Sequence, residues 1–341
     1  MKINFGVGTG RNQSIDAIKG HARLAEDLGY EHITFIDSQN LCRDVYVMMT
    51  LAALETSRIR IGQGVTNPYT RHWTVTANAT ATVNELSGGR AFIGLGAGMS
   101  SVGTLGMKAR PLSALKDTVE SMRTMINGGD VDVAGHAVRS EWSTKPVPIF
   151  VGSQGPKSMR QAAGMADGII CPSADPTIYR WRREIITQGA EEAGRDPASI
   201  PVWARTMCYV GDTREECRRE TRSYAATCAA GFYGSVLSRP TPQSQELCRR
   251  LDPQLLDEIK KVYDNYDYYE HERTDAPHGE LVTDRVIDAF LLVGTADEVA
   301  ERISNLAEAG CRTVSMTDYT IIDKRGQMRR VAEQILPRFA A

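Results

Sequence analysis

The sequence predicts an α/β fold, a (β/α)8 TIM barrel with a helical insertion after strand seven. Short apolar segments alternate along the chain with amphipathic helical segments, which is the pattern of successive βα units. Eight strand candidates are present, and each is followed by a helix. The length of 341 residues suits one barrel, since barrels routinely exceed the size of an average domain. An open doubly wound sheet is the alternative.

The first βα unit shows how the elements are assigned. The strand candidate "INFGVG" (3–8) precedes "SIDAIKGHARLAEDLG", where apolar residues recur on one helical face and Gly29 provides a stop. The residues on that face are Ile15, Ile18, Ala22, Ala25 and Leu28. In chain order, the other strand candidates are 32–37, 59–65, 91–98, 148–153, 168–173, 201–211 and 312–318.

Residues 212–290 are too many for an ordinary connection between two barrel elements. They are polar and rich in helical patterns, so we predict a helical insertion within a single barrel domain that spans residues 1–341. Packed helices and a lid over the barrel mouth are both compatible with this segment. The same two alternatives hold for its tyrosines, Tyr263, Tyr266, Tyr268 and Tyr269.

Composition excludes several classes of partner. Charged residues make up 24% of the chain and the net charge is −2, so no field of one sign predicts a nucleic-acid partner. No apolar stretch reaches about 18 residues, and the N-terminus carries no apolar signal region, so we expect a cytoplasmic protein without a membrane partner. Seven widely spaced cysteines without a CxxC pair predict neither a disulfide framework nor a metal site.

The loops after the predicted strands are rich in glycine and small polar residues, as in "GTGRN", "DSQNLCRD", "GVTNPYTRH" and "GAGMSS". In a barrel the chemistry lies at these carboxyl ends. Glycine lets a flat or phosphorylated ligand approach the backbone closely. The loops therefore favour a large cofactor over a simple hydrolytic site.

The loop "GSQGPK" (152–157) joins the fifth strand to a helix start. Pro156 is tolerated in a first helical turn, whose free N–H groups and positive dipole end can hold a phosphate, and Lys157 adds charge. We therefore predict a phosphate cup here, with an ordinary glycine-proline helix entry as the alternative.

Taken together, several segments carry a family resemblance. In order, they are "LAEDLGYEHITFID", "RDVYV", "GVTNPYTRH", "ATVNELSGGRAFIGLGAG", "VPIFVGSQGPKSMRQAAGMADG" and, more weakly, "GTADEVAERISNLAEAGC". Their order and spacing resemble the bacterial-luciferase-like flavin- and F420-dependent oxidoreductases, particularly the methylenetetrahydromethanopterin reductase branch. The resemblance implies a TIM barrel with a cofactor ring at its mouth, F420 or alternatively FMN. It also implies a homodimer formed through the helices that flank strands two and three.

The resemblance further implies a set of cofactor contacts. A non-prolyl cis peptide at Gly64–Val65 would form a bulge against one face of the ring, Asn67 would hydrogen-bond the cofactor, and Arg71 would brace the loop. A plain strand-to-helix turn is the alternative for this loop, and a loop-capping carboxylate is the alternative for Asp37. The other implied contacts are Asp37, Ala97, Gly98, Gln154, Gly155 and Lys157.

The sequence also departs from the family pattern. Ser38 and Met99 stand where many F420-dependent members have histidine and glutamate, so the usual acid–base pair is missing. Glycines Gly6 and Gly8 replace an acidic residue of the methylene-carrier reductases, which argues against that specific activity. No catalytic residue is therefore predicted. The substrate-side candidates near the predicted mouth are Ser38, Cys42, Arg43 and His72.

The resemblance predicts hydride transfer between F420 and a small organic substrate bound at the C-terminal mouth of the barrel. The alternative is a monooxygenase that uses reduced FMN and oxygen, with a separate reductase as a partner. A flavin-binding protein without turnover is a third interpretation. The substrate depends on loop side-chain directions, which the sequence leaves open.

Overall fold

A computed structural model describes residues 2–9, 13–39, 41–107, 112–143, 145–267, 270, 276–319 and 321–340. Eight parallel strands form a closed barrel, because the seventh barrel strand pairs with both the sixth and the eighth. This confirms the predicted fold and excludes the open sheet. The barrel strands are β1 (Asn4–Thr9), β2 (His32–Phe35), β3 (Arg60–Gln63), β4 (Ala91–Leu95), β7 (Ile149–Gly152), β8 (Gly168–Pro172), β9 (Val202–Val210) and β11 (Thr313–Thr317).

Three further strands were not predicted. Strands β5 (Val131–Val133) and β6 (His136–Val138) form an antiparallel hairpin. Ala134 and Gly135 both have positive φ in its two-residue turn, as such hairpin turns require. Strand β10 (Leu292–Gly294) pairs with the last residues of β9. All three strands are too short for their hydrophobic periodicity to be recognised. In addition, β10 pairs with a strand that is distant in sequence.

Helices follow the barrel strands as the sequence predicts, and most begin at a capping side chain such as Ser14, Asp44 or Asp175. The first helix ends at Gly29, whose φ of +84° suits glycine. Ile15, predicted on its buried face, is exposed because it opens the first turn. The helices are α1 (Ile15–Asp27), α2 (Val45–Glu55), α3 (Trp73–Leu86), α4 (Met99–Gly103), α5 (Leu112–Ile126), α6 (Pro156–Met165), α7 (Pro176–Glu192), α8 (Arg214–Phe232), α9 (Pro242–Arg250), α10 (Pro253–Asp264), α11 (Asp284–Phe290), α12 (Ala296–Glu308) and α13 (Lys324–Gln334).

The segment 212–290 contains helices α8 to α11. Helix α8 packs against α10 and α11, and it continues into a π-helical turn over Tyr233–Leu237. Tyr263 stacks on Tyr233 with ring centroids 4.5 Å apart, while Tyr268 and Tyr269 lie outside the described residues. Across the described part of the chain, no helix has the length and apolar character needed to cross a membrane.

Four aromatic side chains fill the barrel near the amino ends of its strands. His32 stacks on Trp203 with ring centroids 4.0 Å apart, and Phe92 and Phe150 pack around them. Glycines on neighbouring strands leave the required space, since an added Cβ would lie within 2.3 Å of a ring atom. These glycines are Gly6 beside His32, Gly62 beside Phe92 and Gly168 beside Phe150. The lower barrel is therefore a packed floor.

The protonation of His32 makes folding stability depend on pH. Burial, with a further contribution from Arg60, lowers the pKa of His32 to about 3. An unfolded histidine titrates near pH 6.5, so protons bind the unfolded chain preferentially between these two values. The contribution of neutral His32 to the free energy of unfolding is therefore fully present above pH 6.5. It decreases by about 1.4 kcal/mol per pH unit as the pH falls toward 3.

We expect His32→Gln to remove this part of the acid sensitivity. Urea unfolding should show that the wild-type protein loses about 2 kcal/mol more than the variant between pH 6.5 and 5. His136→Gln is the control, because His136 is exposed on β6 and its replacement should leave the wild-type pH slope. Equal pH slopes for His32→Gln and wild type would contradict the prediction.

Candidate functional site

A cavity of about 600 Å³ opens at the carboxyl ends of the barrel strands. The loops after β2, β3, β4 and β7 form one part of its wall. Helices α7 and α8, the π-helical turn and Tyr266 from the segment 212–290 form much of the rest. The cavity thus lies above the aromatic floor, where the barrel fold concentrates function.

Most of the predicted site residues meet at this cavity. Those that line it are Asp37, Ser38, Cys42, Gly64, Val65, Ala97, Gly98, Gln154, Gly155 and Lys157. Arg43, Asn67 and His72 do not line it. Among the substrate-side candidates, Ser38 and Cys42 therefore face the cavity, and the Ser38 hydroxyl lies 2.7 Å from that of Ser100.

A backbone bulge follows β3, where the peptide bond between Gly64 and Val65 is cis. The Val65 side chain packs on the aromatic floor. Two glycines make room for it, since a Cβ on Gly96 would lie 2.7 Å and one on Gly152 3.2 Å from Val65 methyl carbons. The Gly64 carbonyl accepts a hydrogen bond of 3.4 Å from the Tyr319 hydroxyl. The bulge is thereby held at the cavity rim.

Asp37 joins the loops after β2 and β3. Its carboxylate is buried and accepts hydrogen bonds from Thr66 Oγ1 at 2.6 Å and from Arg71 Nη1 at 2.5 Å. Arg71 also donates to Asp44 at 2.8 Å, so it braces the loop as expected. Asp37 lines the cavity and caps the loop at the same time, and its charge is already paired.

Arg43, Asn67 and His72, which do not line the cavity, form local hydrogen bonds instead. Asn67 Oδ1 accepts from the backbone N–H groups of Tyr69 and Thr70 at 2.9 and 3.0 Å, and its amide donates to Ser101 at 2.9 Å. The His72 side chain caps α3, and Arg43 donates to the Gln13 carbonyl. A polar side chain in a loop or at a helix cap can either hydrogen-bond nearby backbone groups or face a ligand site. Sequence position alone does not show which of the two it does.

The predicted phosphate cup has the expected local geometry. Gly155 is the N-cap of α6, Pro156 follows it, and no side chain caps the first N–H groups of the helix. The carbonyl of Ser235 would lie 2.9 Å from a Cβ on Gly155, so the π-helical turn approaches this loop closely. Lys157 is exposed at the rim.

Three arginines of the cavity wall were not predicted from the sequence, namely Arg182, Arg205 and Arg239. The charged residues that line the cavity are Asp37, Lys157, Arg182, Arg205 and Arg239. Arg182 had a readable signal, because it lies at helical spacing between the buried Ile178 and Ile185. An arginine within an apolar stripe indicates a buried charge with a specific partner. Arg205 and Arg239 had no comparable local signal.

Comparison with known proteins places this geometry in a family. The profile described as luciferase-like monooxygenase matches residues 1–313. The 5,10-methylenetetrahydromethanopterin reductase of Archaeoglobus fulgidus is 30% identical over 348 residues, which cover 98% of this chain and 99% of the relative.

Solved structures agree on the fold. The coenzyme F420-dependent tetrahydromethanopterin reductase of Methanopyrus kandleri has a TM-score of 0.80 and 25% identity, over 99% of this chain and all of that one. The oxygenating constituent of 3,6-diketocamphane monooxygenase from Pseudomonas putida, in complex with FMN, has a TM-score of 0.66 and 18% identity, over 99% of each chain. With a profile match over most of its length, this chain belongs to the luciferase-like monooxygenase family.

Proposed function

We propose that this luciferase-like oxidoreductase transfers a hydride between coenzyme F420 and a small organic substrate at the barrel mouth. The observation that carries the proposal is the charge of the cavity wall. Among the described residues, the cations Lys157, Arg182, Arg205 and Arg239 line it together with one carboxylate, Asp37, which is paired with Arg71. Lys157 and Arg239 suit the negative groups of such a cofactor, since F420 carries a phosphodiester and glutamate carboxylates.

The residues present fit this cofactor. The open N–H groups at the start of α6 with Lys157 suit a phosphate, and Gln154 lines the same loop. Ala97 and Gly98 leave space at the mouth, and Val65 at the bulge lines the cavity and would contact one face of a ring. When bound, the cofactor supplies the hydride donor or acceptor. The protein then has to bind the cofactor and the substrate, orient them toward each other and exclude water from the site.

Within this proposal the chain's own contribution is mainly positioning. Ser38 and Cys42 are the substrate-side candidates that face the cavity, and Arg43 and His72 are engaged elsewhere. The segment 212–290 supplies cavity-lining residues such as Thr227 and Tyr266, whose hydroxyls lie 2.9 Å apart. Its action as a lid stays a prediction.

Reduced-FMN-dependent oxygenation is the second candidate. The cup after β7 suits an FMN phosphate equally well, and a solved relative of this fold is in complex with FMN. In that case a separate reductase would be required as a partner. A flavin-binding protein without turnover is the third candidate.

Cofactor retention tests these alternatives. The purified protein is incubated separately with F420 and FMN, passed over gel filtration and titrated by fluorescence quenching. We expect selective retention of F420, and a loss of about tenfold in affinity for Lys157→Met, since a charge-assisted hydrogen bond to phosphate is removed. Lys145→Met is the matched control, because Lys145 is exposed and does not line the cavity. FMN retention with oxygen uptake would instead support the second candidate, and retention of neither cofactor would overturn both.

We also propose a homodimer that forms through α2 and α3. These neighbouring helices leave apolar side chains exposed, namely Val47, Leu54, Val75 and Leu86. Contiguous apolar surface of this kind marks protein interfaces. Light scattering after gel filtration should give a dimer for wild type and a monomer for the double variant Val47→Glu, Val75→Glu. Ile322→Glu, a control at another exposed apolar position, should stay dimeric. A monomeric wild type, or a dimeric double variant, would contradict the proposal.

A further inference from the structure

Arg182 is a buried cation without a counter-ion in the described part of the chain. Its side chain is 1% exposed, and it reaches the cavity from α7. Nη1 donates to Ser173 Oγ at 3.2 Å, while Nε has no hydrogen-bond partner. Arg182 also forms a side-chain hydrogen bond with Cys171, and the Cys228 thiol lies nearby. Burial raises the pKa of Cys171, so that thiol stays neutral. Buried charges in proteins are normally paired, so an anion bound in the cavity would stabilise this guanidinium.

Arg205, on β9, lines the same cavity as Arg182. Residues Pro172 and Arg205 are opposite each other on β8 and β9, and the Ser173 N–H donates to the Arg205 carbonyl at 3.0 Å. The Arg205 guanidinium lines the cavity and lies 5.3 Å from the ring centre of Tyr319. Both guanidinium groups line the cavity, Arg182 from α7 and Arg205 from β9, and we call them the arginine pair.

Arg205 lies on the barrel strand opposite the one that precedes the bulge. In the closed ring the order is β9, β11, β1, β2, β3, β4, β7, β8 and back to β9. Four steps in either direction separate β3 from β9, so their carboxyl ends face each other. The bulge at Val65 follows β3. If the cofactor ring packs on this bulge with one face, its other face is turned toward the arginine pair. In the proposed function, the substrate binds on that second face.

We propose that Arg182 and Arg205 bind a carboxylate of the substrate, so that this enzyme acts on a small organic anion. The inference rests on the proposed function, because it needs the cofactor ring on the opposite side. Guanidinium groups bind carboxylates through two parallel hydrogen bonds, which would use the unpartnered N–H of Arg182. The anion would also compensate the buried positive charge.

A pair of probes of nearly identical shape tests the proposal. Benzoate and its neutral counterpart benzamide are titrated by calorimetry into the protein, first without cofactor and then after loading with F420 or FMN. We expect benzoate to bind the loaded protein at least tenfold more tightly than benzamide. Arg182→Met and Arg205→Met should each weaken benzoate binding by about tenfold or more, since each removes a charged hydrogen-bond donor. Benzamide and cofactor affinities should stay within about twofold.

Two controls separate this role from a structural one. Arg180→Met changes an exposed arginine of the same helix and should leave benzoate binding unchanged. Lys157→Met should show the opposite pattern, with weaker cofactor binding and unchanged benzoate binding. If the buried substitution prevents folding, Arg182→Lys keeps the charge without the planar donor fork, and circular dichroism reports its folding. A folded Arg182→Lys should bind benzoate at least fivefold more weakly than wild type.

Three results would overturn the inference. Equal affinities for benzoate and benzamide would exclude a carboxylate site. Unchanged benzoate binding in Arg205→Met and in a folded Arg182 variant would place the anion elsewhere. A loss of cofactor affinity as large as the loss of benzoate affinity would assign the arginine pair to the cofactor's own tail. Failure to retain any cofactor would contradict the proposed function separately, and arginine-dependent binding of benzoate by the unloaded protein would still support the anion site.

Discussion

Replacing Ala97 with tryptophan should lower cofactor affinity at least about 100-fold while the protein stays folded. Ala97 lines the cavity between Gly96 and Gly98, and its side chain is exposed to the open mouth. An indole there would occupy the space proposed for the ring, with little effect on the packed floor below. Fluorescence titration with F420 and with FMN measures the affinity, and circular dichroism measures the fold.

Leu105→Trp is the matched control for this experiment. Leu105 follows the same strand and is also exposed, but it does not line the cavity. The control should bind the cofactor as wild type does. Unchanged affinity in Ala97→Trp would mean that the ring does not lie at this side of the mouth.

Replacing Arg71 with methionine should destabilise the fold by about 2–4 kcal/mol, because the buried Asp37 carboxylate would lose its cationic partner. The same change would free Asp44 and loosen the connection between the loops after β2 and β3. Urea unfolding at pH 7 measures the free energy of unfolding. Arg58→Met, at an exposed position, should change it by less than about 0.5 kcal/mol.

A double-mutant cycle separates this ion pair from its surroundings. Asp37→Asn removes the charge, so adding Arg71→Met to it should cost much less than Arg71→Met alone. We expect a coupling energy above about 1 kcal/mol. Additive effects of the two substitutions would show that the pair does not hold the loops together.

The architecture followed from local patterns to a large extent. All eight predicted barrel strands are present, with ends that differ by a few residues, and the described part of the segment 212–290 contains helices α8 to α11. The hairpin at 131–138 and strand β10 escaped prediction because they are short and lack clear periodicity.

The site was only partly predictable. Glycine-rich loops mark close approach of the backbone, and the family resemblance selected Gly64, Gly98 and Gly155 within them, which line the cavity. Asn67 and His72 belong to equally polar loops, but they bind local backbone groups, and no sequence signal distinguishes the two uses.

By itself the sequence determined the order of strands and helices, the helical segment after the seventh strand and the small residues at the mouth. Hydrophobic periodicity, helix caps and glycine conformations are local properties, so a single sequence carries them. Only the tertiary structure decided that Arg182 is buried and that Arg182, Arg205 and Val65 line one cavity. Closure of the barrel brings these distant segments around one mouth, and that proximity depends on packing rather than on any local pattern.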